Sequence, residues 1–146
     1  MKIYFETHVH QTPSQIFSQF DQKLFEALKP PLLNLRVKRF DGSQTGDEIH
    51  LEIGLGPFKM PWVSVITDDR QEEGSFQFVD QGKVLPWPLK SWHHHHVIKR
   101  IDDQTSAIID DIDYSSGYSW VDYLLFSLLW FQFRARKPIY KRFFDS

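Results

Sequence analysis

The sequence predicts an α+β domain: an antiparallel sheet of about seven strands, two short helices after the first strand, and one long C-terminal helix. Three observations carry this. Short runs of alternating apolar and polar residues recur from Lys2 to Tyr114, separated by turns rich in Gly, Pro and Asp. At Ser119 that alternation gives way to a stretch that is apolar almost all round. Between them, Trp92-His93-His94-His95-His96-Val97-Ile98 is answered by Asp110-Asp111-Ile112-Asp113-Tyr114 across a short polar turn near Asp102-Asp103. Two such segments form a hairpin.

Residues 2 to 10 alternate as a first strand, after which Thr12-Pro13-Ser14 supplies a helix start. Ile16, Phe17, Phe20, Leu24, Phe25 and Leu28 recur at helical spacing, so two short helices fill 13 to 28, and Pro30-Pro31 stops them. Strands follow at 33 to 40 and 48 to 55, joined by a turn marked by Asp41-Gly42 and Gly46-Asp47, and Gly56-Pro57 breaks the second. Further strands at 60 to 67 and 75 to 80 flank Asp68-Asp69-Arg70-Gln71-Glu72-Glu73-Gly74, which reads as a charged turn. Residues 81 to 89 form a proline-bounded loop of apolar content, suited to a lid. The last helix is expected over 119 to 144, with Ser119 as its N-cap and a kink at Pro138. Wheel arithmetic turns Val121, Leu124, Leu125 and Leu128 toward the sheet and leaves Tyr123, Phe126 and Trp130 over, a stripe suited to a subunit or membrane-surface contact, with a homodimer favoured.

In the 92 to 114 hairpin, centring the turn pairs 92 with 114, 94 with 112, 96 with 110 and 98 with 108. One face then carries Trp92, His94, His96, Ile98, Ile108, Asp110, Ile112 and Tyr114. His93 and His95, opposite Asp113 and Asp111, take the more charged and solvated face. An apolar face holding His96 opposite Asp110 is the chemistry to explain.

Composition narrows the classes. At 146 residues the chain is one domain's worth, read as a single unit over 1–146. A net charge of −2 with interspersed signs provides no basic stripe, so nucleic acid is not an expected partner. Cysteine is absent, which removes disulfides and thiolate chemistry and leaves His, Asp and Glu as the reactive inventory. The apolar C-terminal stretch is too short and interrupted to span a bilayer, which takes about 20 apolar residues, and the N-terminus lacks a signal core. The expected setting is cytoplasmic. Thirteen Phe and five Trp are more ring surface than a core of this size usually needs, and rings line ligand cavities as well as cores. No nucleotide loop, Gly-x-Ser-x-Gly elbow or His-Glu-x-x-His segment occurs.

The element order, together with Phe78-x-Asp80-Gln81, Trp92-x-His94-x-His96-x-Ile98, Asp110-Asp111-Ile112-Asp113-Tyr114 and Phe133-Arg134-Ala135-Arg136, resembles the START-like or SRPBCC superfamily and its bacterial ligand-binding subgroup. The resemblance spans nearly the whole chain. It departs at the Val84 to Leu89 loop, where relatives carry a Gly-Pro step, and at Ala135, where an aromatic is usual. The resemblance implies the helix-grip fold, a curved sheet wrapped around the C-terminal helix with a deep cavity between them. It also implies binding or processing of a hydrophobic small molecule, since the family includes lipid carriers, hormone receptors and cyclases. Fold membership alone does not select among these.

His94, His96 and Asp110 form a set known as a first shell for zinc or non-haem iron, but a buried ion-paired network explains them without a further ligand, so neither metal nor cofactor is expected. Trp62, Ser64 and Ile66, and Phe76, Phe78 and Asp80, are alternating sets that would line a cavity. Arg134 and Arg136 are expected to be solvated or to pair with strands. The expected function is non-covalent binding of an apolar or aromatic molecule. Trp62, Phe76, Phe78, Trp92, Ile112 and Leu124 would supply the walls, and His94, His96, Asp110 and Tyr114 the orientation. The alternatives are a cyclase or dehydratase using His96 and Asp110, and an interaction module acting through the C-terminal helix.

Overall fold

Local chemistry starts the two short helices, the first of them where the sequence predicts. Thr12 caps the first, its hydroxyl accepting from the Gln15 N–H while the Gln15 side chain accepts from the Thr12 N–H at 2.9 Å. Asp21 caps the second through the Leu24 N–H at 3.1 Å. The computed structural model describes residues 1–30 and 33–145, so the expected stop at Pro31 lies outside the described residues. The elements run β1 (Lys2–Val9), α1 (Pro13–Ser18), α2 (Gln22–Ala27), β2 (Asn34–Phe40), β3 (Glu48–Leu55), β4 (Phe58–Glu72), β5 (Ser75–Val84), β6 (Ser91–Arg100), β7 (Ser106–Ser115), α3 (Ser119–Arg134) and α4 (Arg136–Asp145).

The seven strands form one antiparallel sheet in the order β1-β7-β6-β5-β4-β3-β2. It curls into a half-barrel that the two C-terminal helices cover. The β6–β7 register is the one expected, with Trp92 opposite Tyr114, His94 opposite Ile112, His96 opposite Asp110 and Ile98 opposite Ile108. Tyr140 and Phe144 of α4 close a core with Val9, Ile16, Leu24, Ile98 and Ile108. Leu129 and Phe133 of α3 close a second with Ile3, Trp92, Ile112 and Tyr114.

Four expectations change. The charged segment 68–72 is strand, not turn: β4 and β5 form a long hairpin closed by Glu73-Gly74 alone, with Asp69 opposite Phe78 and Glu72 opposite Ser75. Solvated side chains on a projecting hairpin make a strand look like a loop. The long helix breaks at Ala135 rather than at Pro138. A proline ring clashes with the carbonyl four residues back, here Arg134, the last residue of α3; Pro138 itself sits in the first turn of α4, where its missing N–H costs nothing.

The phase of α3 also differs. Leu129, Phe133 and Asp122 are buried, while Leu124 is 70% exposed and Leu128 42%. A helix apolar all round carries no phase in its periodicity. Asp122 sets it, its carboxylate accepting from the Ser116 N–H at 2.7 Å and the Ser116 hydroxyl at 2.6 Å. The N-cap position is Tyr118 rather than Ser119, with no side-chain cap. Among the described residues, no helix is long and apolar enough to cross a membrane.

Candidate functional site

β5, β6 and β7 bring Asp80, His94, His96 and Asp110 to one face of the sheet, because Asp80 lies directly across from His94 and Asp110 directly across from His96. The hydrogen bonds run along the diagonals instead. His94 Nε2 is 2.9 Å from Asp110 Oδ1, and His96 Nε2 is 2.7 Å from Asp80 Oδ2. The straight pairs are longer, 3.5 Å from His94 Nδ1 to Asp80 Oδ2 and 3.9 Å from His96 Nδ1 to Asp110 Oδ1. The expected His96–Asp110 pairing is corrected on this point: strand side chains lean along the chain, so each imidazole reaches the carboxylate diagonal to it. The two rings stack with centroids 3.6 Å apart, and Phe78 stacks on His96 at 4.2 Å.

A second layer fixes the carboxylates. The Trp92 indole N–H donates to Asp80 Oδ1 at 3.2 Å. Arg136, the first residue of α4, places Nη1 3.6 Å from Asp110 Oδ1 and lies over the Phe133 ring at 4.3 Å. The Tyr140 hydroxyl reaches the same Asp110 oxygen at 3.5 Å. All these side chains are buried. The Arg136 Nε is a buried donor without a partner.

Burial pushes the His94 imidazole down to about 4; neighbouring His96 acts the same way, and the carboxylates only partly offset it. Burial pushes the two carboxyls up, but the imidazole hydrogen bonds and the Arg136 charge outweigh it. Asp80 therefore lies below the ordinary aspartate value and Asp110 falls to about 2. At neutral pH an uncharged His94 thus sits beside an ionised Asp110. An ionised carboxylate only accepts, so the His94 proton is on Nε2, and Nδ1 turns its lone pair toward Asp80 Oδ2.

Asp80, His94 and His96 face a pocket of about 240 Å³. Its walls are hydrocarbon: Leu51 and Ile53 of β3, Met60 and Trp62 of β4, and Leu125 and Leu129 of α3. Of the expected lid, residues 81–84 continue β5, and Pro86, Trp87, Pro88 and Leu89 contribute to the lining.

No protein-family model and no curated protein matches the sequence. Solved structures do match in shape. Protein Ms6760 from Mycobacterium smegmatis superimposes with a TM-score of 0.64 at 14% identity, covering 97% of this chain and 89% of that one. Ara h 8.0201 gives 0.58 at 11%, covering 94% and 95%. Norcoclaurine synthase from Thalictrum flavum, solved in complex with dopamine and hydroxybenzaldehyde, gives 0.56 at 12%, covering 78% and 68%. The chain has the helix-grip fold.

Within this helix-grip sheet the expected site residues separate. Trp62, Trp92, His94 and His96 line the pocket, and Trp62 meets Trp92 edge-on at 4.8 Å. Asp110 lies behind them, bonded to His94. Phe78 lines a smaller pocket of about 40 Å³ with His96. Phe76 stacks on Phe17 of α1 at 4.7 Å, in the core. Ile112 and Tyr114 are wholly buried, the Tyr114 hydroxyl donating to the Asp122 carbonyl at 2.7 Å. Leu124, expected as a wall, is out in solvent, since Asp122 turns α3 the other way. Asp80 and Arg136 are the polar site residues that the expected set lacks. Asp80 was visible in the alternation of Phe76, Phe78 and Asp80, and Arg136 takes the strand-pairing option expected of it, through Asp110 of β7.

Proposed function

We propose that this chain binds a small apolar or aromatic molecule, without covalent chemistry, in the pocket between the sheet and α3. One observation carries the reading: the pocket walls are hydrocarbon, while Asp80, His94, His96 and Arg136 gather in one connected polar cluster. Pockets that recognise small molecules combine such walls with a few convergent polar groups that fix orientation. The size is informative. An engineered cavity of about 150 Å³ holds benzene, so 240 Å³ suits one substituted ring or two fused ones. Burying roughly 250 Å² of ligand at about 25 cal/mol per Å² contributes about 6 kcal/mol before entropic costs, which places Kd in the micromolar range or weaker. The ligand's polar substituent is taken to sit against His94 and His96.

Native mass spectrometry of protein purified without denaturation, followed by fluorescence titration with naphthols and substituted phenols, tests this. The expected result is a retained organic mass or saturable quenching that Trp62→Phe diminishes. Neither a retained mass nor saturation with any of these compounds would reject the pocket as a ligand site.

A second reading rests on the 2.7 Å contact between His96 and Asp80 at the pocket surface, the arrangement of a general base oriented by a carboxylate. Norcoclaurine synthase, a protein of similar fold, is an enzyme. Turnover of an enone or polyketide-like substrate, lost in Asp80→Asn with the substrate still bound, separates catalysis from binding alone. Equal product formation with and without protein removes this reading.

A further inference from the structure

We propose that Asp80, His94 and His96 form a mononuclear divalent-metal site, supported from behind by Asp110 and Arg136 and open toward the pocket. One donor atom from each of the three lies within 4.8 Å of the other two, and all three are buried. Donors around a single ion with bonds of about 2.0 to 2.2 Å stand roughly 3 to 3.5 Å apart. The two separations involving Asp80 Oδ2, 2.7 Å to His96 Nε2 and 3.5 Å to His94 Nδ1, bracket that range.

The hydrogen-bond geometry favours a cation at this point. His94 donates its Nε2–H to Asp110, so its Nδ1 and Asp80 Oδ2 are two acceptors that face each other with no hydrogen to share. A metal ion between them replaces that repulsion with two bonds. His96 joins through Nε2, the nitrogen already 2.7 Å from Asp80 Oδ2, and its Nδ1 then carries an N–H directed at Asp110 Oδ1, now 3.9 Å away. Asp110 thereby holds both imidazoles in their ligating tautomers, the role that carboxylates behind metal-bound histidines commonly play. The Trp92 indole N–H orients Asp80 by occupying Oδ1, so that Oδ2 is the oxygen facing the two imidazoles.

The carboxylate ligand is Asp80 and not Asp110. Asp110 Oδ1 already receives the His94 N–H, the Tyr140 hydroxyl and the Arg136 charge. Two buried carboxylates, Asp80 and Asp110, face the one guanidinium of Arg136 in this cluster, an excess of acidic groups that suits a cation. Two nitrogens and one carboxylate suit zinc, cobalt or ferrous iron, whereas magnesium and calcium demand oxygen ligands. The three residues all line the apolar pocket, so the remaining coordination position opens there for water or a ligand oxygen. The site stands whatever molecule fills the pocket.

The test uses full-length protein carrying His93→Gln and His95→Gln, which removes the outward-facing histidines of the same strand, stripped with chelator and titrated with Zn²⁺ and Co²⁺. Expected are one tightly bound ion per chain by calorimetry and visible Co²⁺ bands of a low-coordinate, imidazole-ligated ion. Asp80→Asn and His96→Gln, each added to this background, should weaken Zn²⁺ at least about 100-fold, and Asp110→Asn about 10- to 100-fold. Absence of saturable one-to-one binding in the His93/His95 variant overturns the site, as does unchanged affinity in both Asp80→Asn and His96→Gln. Near-UV circular dichroism checks that these variants fold. If they do not, the Co²⁺ spectrum of the folded His93/His95 variant decides alone: bands without imidazole ligation, or none, reject the proposal.

Discussion

Tyr114 has no solvent contact, its hydroxyl donates to the Asp122 carbonyl at 2.7 Å, and burial pushes its phenol up to about 12. The folded state thus holds this proton more tightly than the unfolded chain does. The associated stability is complete below the ordinary tyrosine value near 10 and is lost as pH rises through about 12. Denaturant melts at pH 7 and pH 11 should show a fall that Tyr114→Phe reduces, while at pH 7 the same substitution costs about 1 kcal/mol for the lost hydrogen bond. A fall of equal size in the variant would assign the alkaline sensitivity elsewhere. Arg136 offers a second case. Its side chain is buried 3.6 Å from Asp110, so Arg136→Met should cost about 3 to 5 kcal/mol by leaving carboxylates without their cation, measurable by urea denaturation. At this scale the sequence was partly readable. Alternation put His94, His96 and Asp110 on one face, but whether an imidazole reaches straight across or diagonally depends on side-chain lean, which spacing does not encode.

The elements differ in how far their sequence determined them. The β6–β7 hairpin followed from polar–apolar alternation alone, because a slip of one residue would expose its whole apolar set. The phase of α3 did not, since a helix apolar on every side has no preferred face until Asp122 finds Ser116. Two substitutions check that phase. Leu129→Ala should cost about 2 to 3 kcal/mol, the low end for a buried leucine because the pocket already leaves one side of it open. Leu124→Ala should change stability by less than about 0.5 kcal/mol, and equal effects would mean that α3 is rotated. The β4–β5 hairpin depends on Gly74, whose φ of +74 lies in the left-handed region. An added Cβ would meet Arg100 Cβ at 3.6 Å, ordinary contact, so Gly74→Ala should cost only the conformational strain, about 1 to 2 kcal/mol in a thermal melt, and Gly74→Asn less.

On the scale of the whole molecule, the polar cluster and the pocket exist only because strands remote in sequence become neighbours. Turn chemistry and alternation made the strand count readable, and the Trp92 to Ile98 and Asp110 to Tyr114 segments announced the site's central hairpin. The pocket was not readable, since Phe and Trp side chains fill a core or stop short of filling it with the same composition. The strand order also puts the earliest strand beside the latest, with Lys2 opposite Asp113 and Val9 opposite Ser106. A growing chain must therefore keep β1 waiting, unpaired along both edges, until β7 has emerged from the ribosome. Such distant pairing belongs to the slow class of folding reactions, and it leaves the first-made segment open to capture by a chaperone or by another copy's strand edge until the sheet is complete.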